Sequence, residues 1–266
     1  MAPQLRELTE EAVLEFISEK VRESRSKGVV IGLSGGIDSA VTSLLCAKAL
    51  GPDKVLNIFL PSHSTPPGDR KDVEGLCSRF GMELRVIDIS AMADAVKRSL
   101  PSTEDPRLLG NATARLRMIV LFHHAKLLER VVMGTSNKSE LLIGYFTKFG
   151  DGGADFCPLG DLYKSEVRDL ARRIEVPQGI LEKAPTAGLW AGQTDEGEIG
   201  LTYDELDQIL VGIELNLSNE DIASRAKIPL EKVERVWAMH RCSVHKRKMP
   251  LIPKVGLRTI GLDWRE

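Results

Sequence analysis

Apolar positions along the chain follow two different periods. From Val13 to Val21 they recur at three- and four-residue steps (Val13, Leu14, Ile17, Val21), which predicts an amphipathic helix with Thr9 as its cap. Val29, Val30, Ile31 and Leu33 then stand almost together, the pattern of a short strand buried on both faces of a parallel sheet. A helix is predicted from about Asp38 to Leu50, ended by Gly51-Pro52. The unit repeats as a strand over 54–60, a helix near 69–80 closed by Gly81, and a strand over 84–89. A long helix over about 111–130 precedes a strand at 131–134. Such alternation predicts an α/β class, a doubly wound parallel sheet, whose ligands bind beyond the carboxyl ends of the strands. Strands give way to helices from about residue 163, with Pro/Gly breaks over 176–200 and short helices over 203–242. The proline-punctuated tail from Arg247 is expected to run extended and packed over the surface. One domain over 1–266 is expected, its α/β core reaching about residue 175 and a helical extension and tail filling about 176–266.

Composition narrows the class. Of 266 residues, 42% are hydrophobic and 28% charged, which is globular and neither disordered nor fibrous. Lys and Arg number 36 against 38 Asp and Glu, so a bulk-basic nucleic-acid binder is excluded. The longest apolar runs, such as 118–122, are about one strand long, too short for a membrane span, and charges interrupt the first residues as no signal peptide would allow. Cys46, Cys77, Cys157 and Cys242 form no CxxC pair, which argues against zinc or a redox motif and for a reduced, cytoplasmic protein.

The chemistry concentrates where the first strand meets the second helix. Gly32, Leu33, Ser34, Gly35, Gly36, Ile37, Asp38 and Ser39 form a glycine-rich turn that opens a helix. Free backbone N–H groups and the positive end of the helix dipole make such a turn an anion site, and Asp38 can hold a cation against bound phosphates. No Lys follows the glycines as a Walker A loop needs, and the GxGxxG spacing is absent. A turn rich in Gly and Ser for conformation alone is the plain alternative. The segment resembles the SGGxDS pyrophosphate loop of the N-type ATP pyrophosphatases, which adenylate a substrate.

Further segments resemble NAD synthetases: GNATARLRM (110–118), GTSNKSE (134–140), GYFTKFGDGGADFCPLGDLYKSEVR (144–168), PTAGLW and TDEGEIG within 185–200, and His245-Lys246-Arg247. The resemblance spans about residues 8–250 and implies a Rossmann-like sheet of the adenine nucleotide alpha hydrolase type. It also implies a reaction. The carboxylate of nicotinic acid adenine dinucleotide (deamido-NAD) attacks the α-phosphorus of ATP, and ammonia then breaks the mixed anhydride to give NAD and AMP. By the same resemblance Asp38 and Glu140 are ligands of Mg²⁺, of which two are expected. Thr135, Lys164 and Thr186 contact ATP, with Asp38 and Lys164 catalytic, while Arg115, Lys148, Asp155, His245 and Lys246 hold deamido-NAD. Homodimers with the substrate site at the subunit interface are implied too. The sheet begins about 28 residues in, which leaves no room ahead of it for an amidase domain, so free ammonia or a separate glutaminase is the expected nitrogen source.

Plainer readings stand beside several of these residues. Glu140 alone reads as a solvated helix residue, and of Arg115 and Arg117, two apart on a helix, at most one meets substrate. Asp151-Gly-Gly-Ala-Asp155 lacks the spacing of an EF-hand, and Asp195, Glu196 and Glu198 read as an acidic mobile loop that closes over nucleotide. His123 and His124 read as structural. Asn137 and Lys138 depart from the commoner bacterial motif and change its polarity, and the divergent loop at 61–67 should lie near the adenine. Residues 218–236 have a helix-turn-helix pattern, but Glu231 and Glu234 beside Lys232 and Arg235 offer DNA no net attraction. Among enzymes of the same fold, tRNA-thiolating and GMP-forming activities are the rivals; thiolation usually needs paired cysteines.

Overall fold

A computed structural model describes residues 1–190 and 192–263. Its central element is a sheet of four parallel strands in the order β3-β2-β1-β4, with β1 Val29–Gly32, β2 Val55–Phe59, β3 Glu83–Val86 and β4 Val131–Met133. Register follows from the pairs Val29 with Val55, Val29 with Val131, and Leu56 with Glu83. Alternate side chains of a strand point to opposite faces. Val29, Ile31, Val55 and Phe59 therefore join one core with α1 (Thr9–Glu23), α2 (Ile37–Leu50), α3 (Pro67–Phe80) and α7 (Lys164–Arg173). Val30, Leu56, Ile58 and Val132 pack on the other face, against α4 (Ser90–Ser99) and α5 (Pro106–Leu128). The expected doubly wound sheet is present, with charged Glu83 and Arg85 along its β3 edge.

The chain reverses direction of winding between β1 and β4, the switch point at which open sheets bind ligands. After β4 come α6 (Lys138–Ile143), the irregular 144–163 segment, α7, α8 (Gln178–Leu181) and α9 (Asp195–Ile199). The remaining helices, α10 (Tyr203–Glu214), α11 (Asn219–Ala226) and α12 (Leu230–Cys242), bury Leu206, Ile209, Ile222, Ile228, Val233 and Val236 in a further apolar cluster with Ile143 of α6. The apolar positions of the helix-turn-helix pattern are thus spent on packing.

Several boundaries differ from the sequence reading. Thr9 is the first helical residue rather than the cap, because Leu8 takes the non-helical position and makes no side-chain bond. The last regular strand ends at Met133, close to the expected 134, and among the described residues a single isolated bridge from Met133 to Phe156 follows. Helix α4 stands within 90–99, where no element was predicted, and α5 starts at Pro106, capped by Asp105, which accepts from the Arg107 N–H at 3.0 Å. The tail does not pack as expected: Met249, Val255 and Leu257 are 80%, 92% and 99% exposed. Its residues 264–266 lie outside the described residues, as does Ala191 of the 176–200 region.

Candidate active site

The glycine-rich turn leaves β1 and enters α2 with its conformation set by its own serines. Ser39 Oγ accepts from the Ser34 N–H at 3.1 Å and donates to the Gly36 carbonyl at 2.9 Å, while the Gly36 N–H reaches Ser34 Oγ at 3.2 Å. Gly35 has φ +87°, a left-handed conformation costly to any residue with a Cβ. Leu33 is tied to β2 through its N–H and the Ile58 carbonyl, 3.0 Å. The N-terminal turn of α2 consequently faces a cavity of about 410 Å³ beyond the strand ends, of a size typical of small-molecule sites. Gly32 to Ser39, Thr135, Glu140, Lys164, Thr186 and Lys246 all line it.

Asp38, Glu140 and Lys164, which stand far apart in sequence, meet inside. The Lys164 ammonium is 2.5 Å from Asp38 Oδ2 and 3.4 Å from Glu140 Oε1, and the lysine is only 2% exposed. Burial opposes its charge, but the two carboxylates more than offset that and hold its pKa above the ordinary lysine value. For Glu140 burial wins, helped by Asp38 and Asp195 against Lys164, and its pKa is pushed up to about 7. Helix ends set this geometry. Asn137 caps α6 by accepting from the Glu140 N–H at 3.0 Å, and its amide N–H donates to Asp38 Oδ1 at 2.9 Å. Its neighbour Lys138 turns away to Asp161 and Glu214, at 3.1 and 3.0 Å. Lys164 opens α7, its backbone N–H held by Ser139 Oγ at 2.9 Å.

Buried Asp207 of α10 bonds both helices, accepting from Ser139 Oγ at 2.5 Å and from the N–H and hydroxyl of Ser165 at 2.9 and 2.7 Å. Only the structure reveals it; an aspartate in the apolar pattern of α10 was the available signal.

The acidic residues of the 195–198 segment divide between two environments. Asp195 is 5% exposed and takes hydrogen bonds from Tyr145 and Tyr203 at 3.1 and 3.2 Å. The Tyr203 hydroxyl also reaches Glu140, and Tyr145 reaches Glu198 at 2.6 Å. Asp195 and Glu198 therefore belong to the cavity wall, while Glu196 accepts from the Tyr203 N–H at 3.0 Å outside it. Thr186 holds its own turn together, donating to the Gln193 carbonyl at 2.8 Å and accepting from the Gly188 N–H at 3.1 Å.

The residues expected to hold deamido-NAD are split. Lys246 reaches the cavity and donates to the carbonyls of Gly144 and Phe146, at 2.8 and 2.9 Å. Arg117 lines the cavity and donates to the Leu60 carbonyl at 3.3 Å; Arg115 is exposed and stands outside its walls. Asp155 accepts from the Val132 N–H at 2.8 Å, and Lys148 donates to the His245 carbonyl at 2.6 Å. Neither they nor His245 line the cavity. Asp151 does, and enclosure by protein raises its pKa. Arg247 satisfies carbonyls at the end of α6, with Leu142 at 2.7 Å, while Leu60, Thr65 and Pro66 place the divergent 61–67 loop on the cavity rim.

A glycine-rich loop opening the N-terminus of α2, beside a lysine held by two carboxylates, is an arrangement for a polyphosphate and its counter-ions. A family model described as NAD synthase matches residues 9–250. The chain belongs to this family. An NH(3)-dependent NAD(+) synthetase from Pyrococcus horikoshii is 46% identical over 97% of the chain and 100% of its own length. Among solved structures, the NH3-dependent NAD synthetase of Campylobacter jejuni is 33% identical with a TM-score of 0.79, over 92% of this chain and 97% of that one. The NMN synthetase of Francisella tularensis is 39% identical, with a TM-score of 0.83 and the same two coverages. The fold of this chain thus has counterparts over 92% of its length among solved synthetase structures.

Proposed function

We propose that this chain is an ammonia-dependent NAD synthetase. The meeting of Asp38, Glu140 and Lys164 at the mouth of the glycine-rich loop is the observation that carries the reading. In the first step a carboxylate oxygen of deamido-NAD attacks the α-phosphorus of ATP, and the bond to the bridging oxygen of pyrophosphate breaks. Ammonia then attacks the acyl carbon; AMP leaves with the electrons of the C–O bond, and one nitrogen proton passes to solvent or base. Backbone N–H groups at the start of α2 receive the polyphosphate within the loop from Gly32 to Ser39, Thr135 and Thr186 contact the nucleotide, and Lys164 neutralises charge as pyrophosphate departs. Lysine, a compact point charge, suits that task.

Asp38 and Glu140 are hard oxygen donors 17% and 15% exposed, a pair that fits Mg²⁺. Among the described residues no group of three or more His, Cys, Asp or Glu side chains forms a cage. Two carboxylates leave the other positions to phosphate and water, as Mg²⁺ ordinarily prefers. Bound there, the metal would offset polyphosphate charge.

Deamido-NAD is assigned to Arg115, Lys148, Asp155, His245 and Lys246, and a homodimer goes with that assignment. Leu108, Arg115 and Ile119 share one face of α5, and both apolar residues are more than half exposed, at 56% and 52%. A second subunit covering that face would enclose residues that one chain leaves outside the cavity. A mass measurement showing an active monomer would defeat this part. A cytoplasmic location suits the four cysteines, all free thiols, and among the described residues no helix is long and apolar enough to cross a membrane. A separate glutaminase can supply the ammonia.

The likeness to an NMN synthetase supports a second reading, in which the acceptor is the mononucleotide. Incubation with ATP, Mg²⁺ and ammonium separates them: the dinucleotide is expected to give NAD with higher kcat/KM than nicotinic acid mononucleotide gives its amide. The reverse order would establish the second reading, and amidation of neither would remove both.

A further inference from the structure

Lys183 belongs to none of the motifs above. It lies between α8 and α9, at the start of the segment that carries Thr186 and leads to Asp195. Its ammonium reaches to Asp72 Oδ2 at 2.6 Å, Asp69 Oδ1 at 2.8 Å and the Gly35 carbonyl at 3.3 Å. The lysine, Asp69 and Asp72 side chains are 27%, 13% and 28% exposed, so this charge cluster is shielded from solvent more than most of the molecule's ion pairs. Asp69 sits in the first turn of α3, whose backbone packs directly on the loop: a Cβ at Gly35 would stand 3.3 Å from Asp69 Cβ and 3.4 Å from its Cα.

Two consequences follow from elementary geometry and charge. The C=O and N–H of one planar peptide point in opposite directions. A cation on the Gly35 oxygen therefore fixes the plane of the Gly35–Gly36 peptide and keeps the Gly36 N–H on the Ser34 side, 3.2 Å from its Oγ. The cluster also holds two carboxylates beside a loop suited to anions. With Lys183 present its net charge is one negative; without it, two.

We propose that Lys183 is a positioning residue for the phosphate loop, screening Asp69 and Asp72 from ATP and holding the Gly35–Gly36 peptide in the orientation that keeps the loop closed on Ser34. It thereby ties the start of the segment that carries Thr186 to the loop on which the nucleotide rests. The inference rests on the reading of residues 32–39 as the ATP site.

The test combines Lys183→Met, Asp72→Asn and the double variant Lys183→Met/Asp72→Asn, using ATP binding by calorimetry and the KM of each substrate. Lys183→Met is expected to weaken ATP binding about tenfold while the KM for deamido-NAD changes less than about threefold. Asp72→Asn in that background should recover at least about threefold, since it removes the uncompensated charge. A lysine that simply grips phosphate lets Asp72→Asn strengthen ATP binding equally whether or not Lys183 is present; an equal gain in wild type and in Lys183→Met would overturn the proposal, as would unchanged ATP affinity in Lys183→Met. Should the methionine variant not fold, Lys183→Gln retains a donor for the Gly35 carbonyl, and the same recovery by Asp72→Asn is required of it. Failure of the wild-type protein to bind ATP would instead refute the assignment of the loop.

Discussion

Lys164 is the side chain on which the site converges, and its effects should show at the level of single residues. Removing its charge leaves Asp38 and Glu140 facing each other under low solvent exposure. Lys164→Met is therefore expected to lower pyrophosphate release from ATP by about a thousandfold, and to destabilise the metal-free protein by roughly 3 kcal/mol at pH 8. Urea midpoints and a pyrophosphate assay read the two effects separately.

Glu140 gives a prediction in pH. Its folded-state pKa of about 7 lies above the ordinary value of 4.5, so between those values the folded protein binds more protons than the unfolded chain. The stabilisation that its protonation brings is thus present in full below about 4.5 and is lost as pH rises through about 7, a total of about 3 kcal/mol. Measured in chelator, the stability of Glu140→Gln relative to wild type should grow over that window and level off above it. A flat difference would contradict the burial argument.

At the scale of elements, Asp207 joins α6, α7 and α10 and so sets where Lys164 begins its helix. Asp207→Ala leaves the Ser139 hydroxyl and the Ser165 N–H without their partner. The expected cost is about 2–4 kcal/mol. Activity should fall more than stability accounts for, because the Ser139 hydroxyl also holds the Lys164 N–H. Equal activity in the folded fraction would show that the joint only stabilises. The same scale explains what was legible in the sequence. Strands β1, β2 and β4 and helices α2 and α3 emerged because their apolar runs and terminal glycines are local signals. Helix α4 did not, since only Ala93 in it is buried and most of its apolar positions are small alanines. Thr9 was misplaced as a cap because Ser, Thr and Asp also occur within first turns.

At the scale of the whole molecule, one chain leaves Arg115, Lys148 and His245 outside the cavity. If a partner subunit completes the dinucleotide site, Arg115→Ala should raise the KM for deamido-NAD about tenfold with little change for ATP. Dilution below the dimer's dissociation constant should lower the specific activity of the wild type. An Arg115→Ala enzyme with unchanged KM for both substrates would place the dinucleotide elsewhere.

The loop from Gly32 to Ser39 and the alternation of strands and helices are properties of contiguous residues, and the sequence by itself determined both the glycine-rich turn at the end of β1 and the class of fold. The tertiary structure alone decided which distant charges meet. It brought Arg117 rather than Arg115 to the cavity, turned Asp195 and Glu198 into its wall, made Asn137 a bridge from α6 to Asp38, and placed Lys183 on the Gly35 carbonyl. Local periodicity says which way a side chain points from its own helix or strand. It carries no information about which other segment will stand opposite, and in this protein the chemistry lies in those encounters.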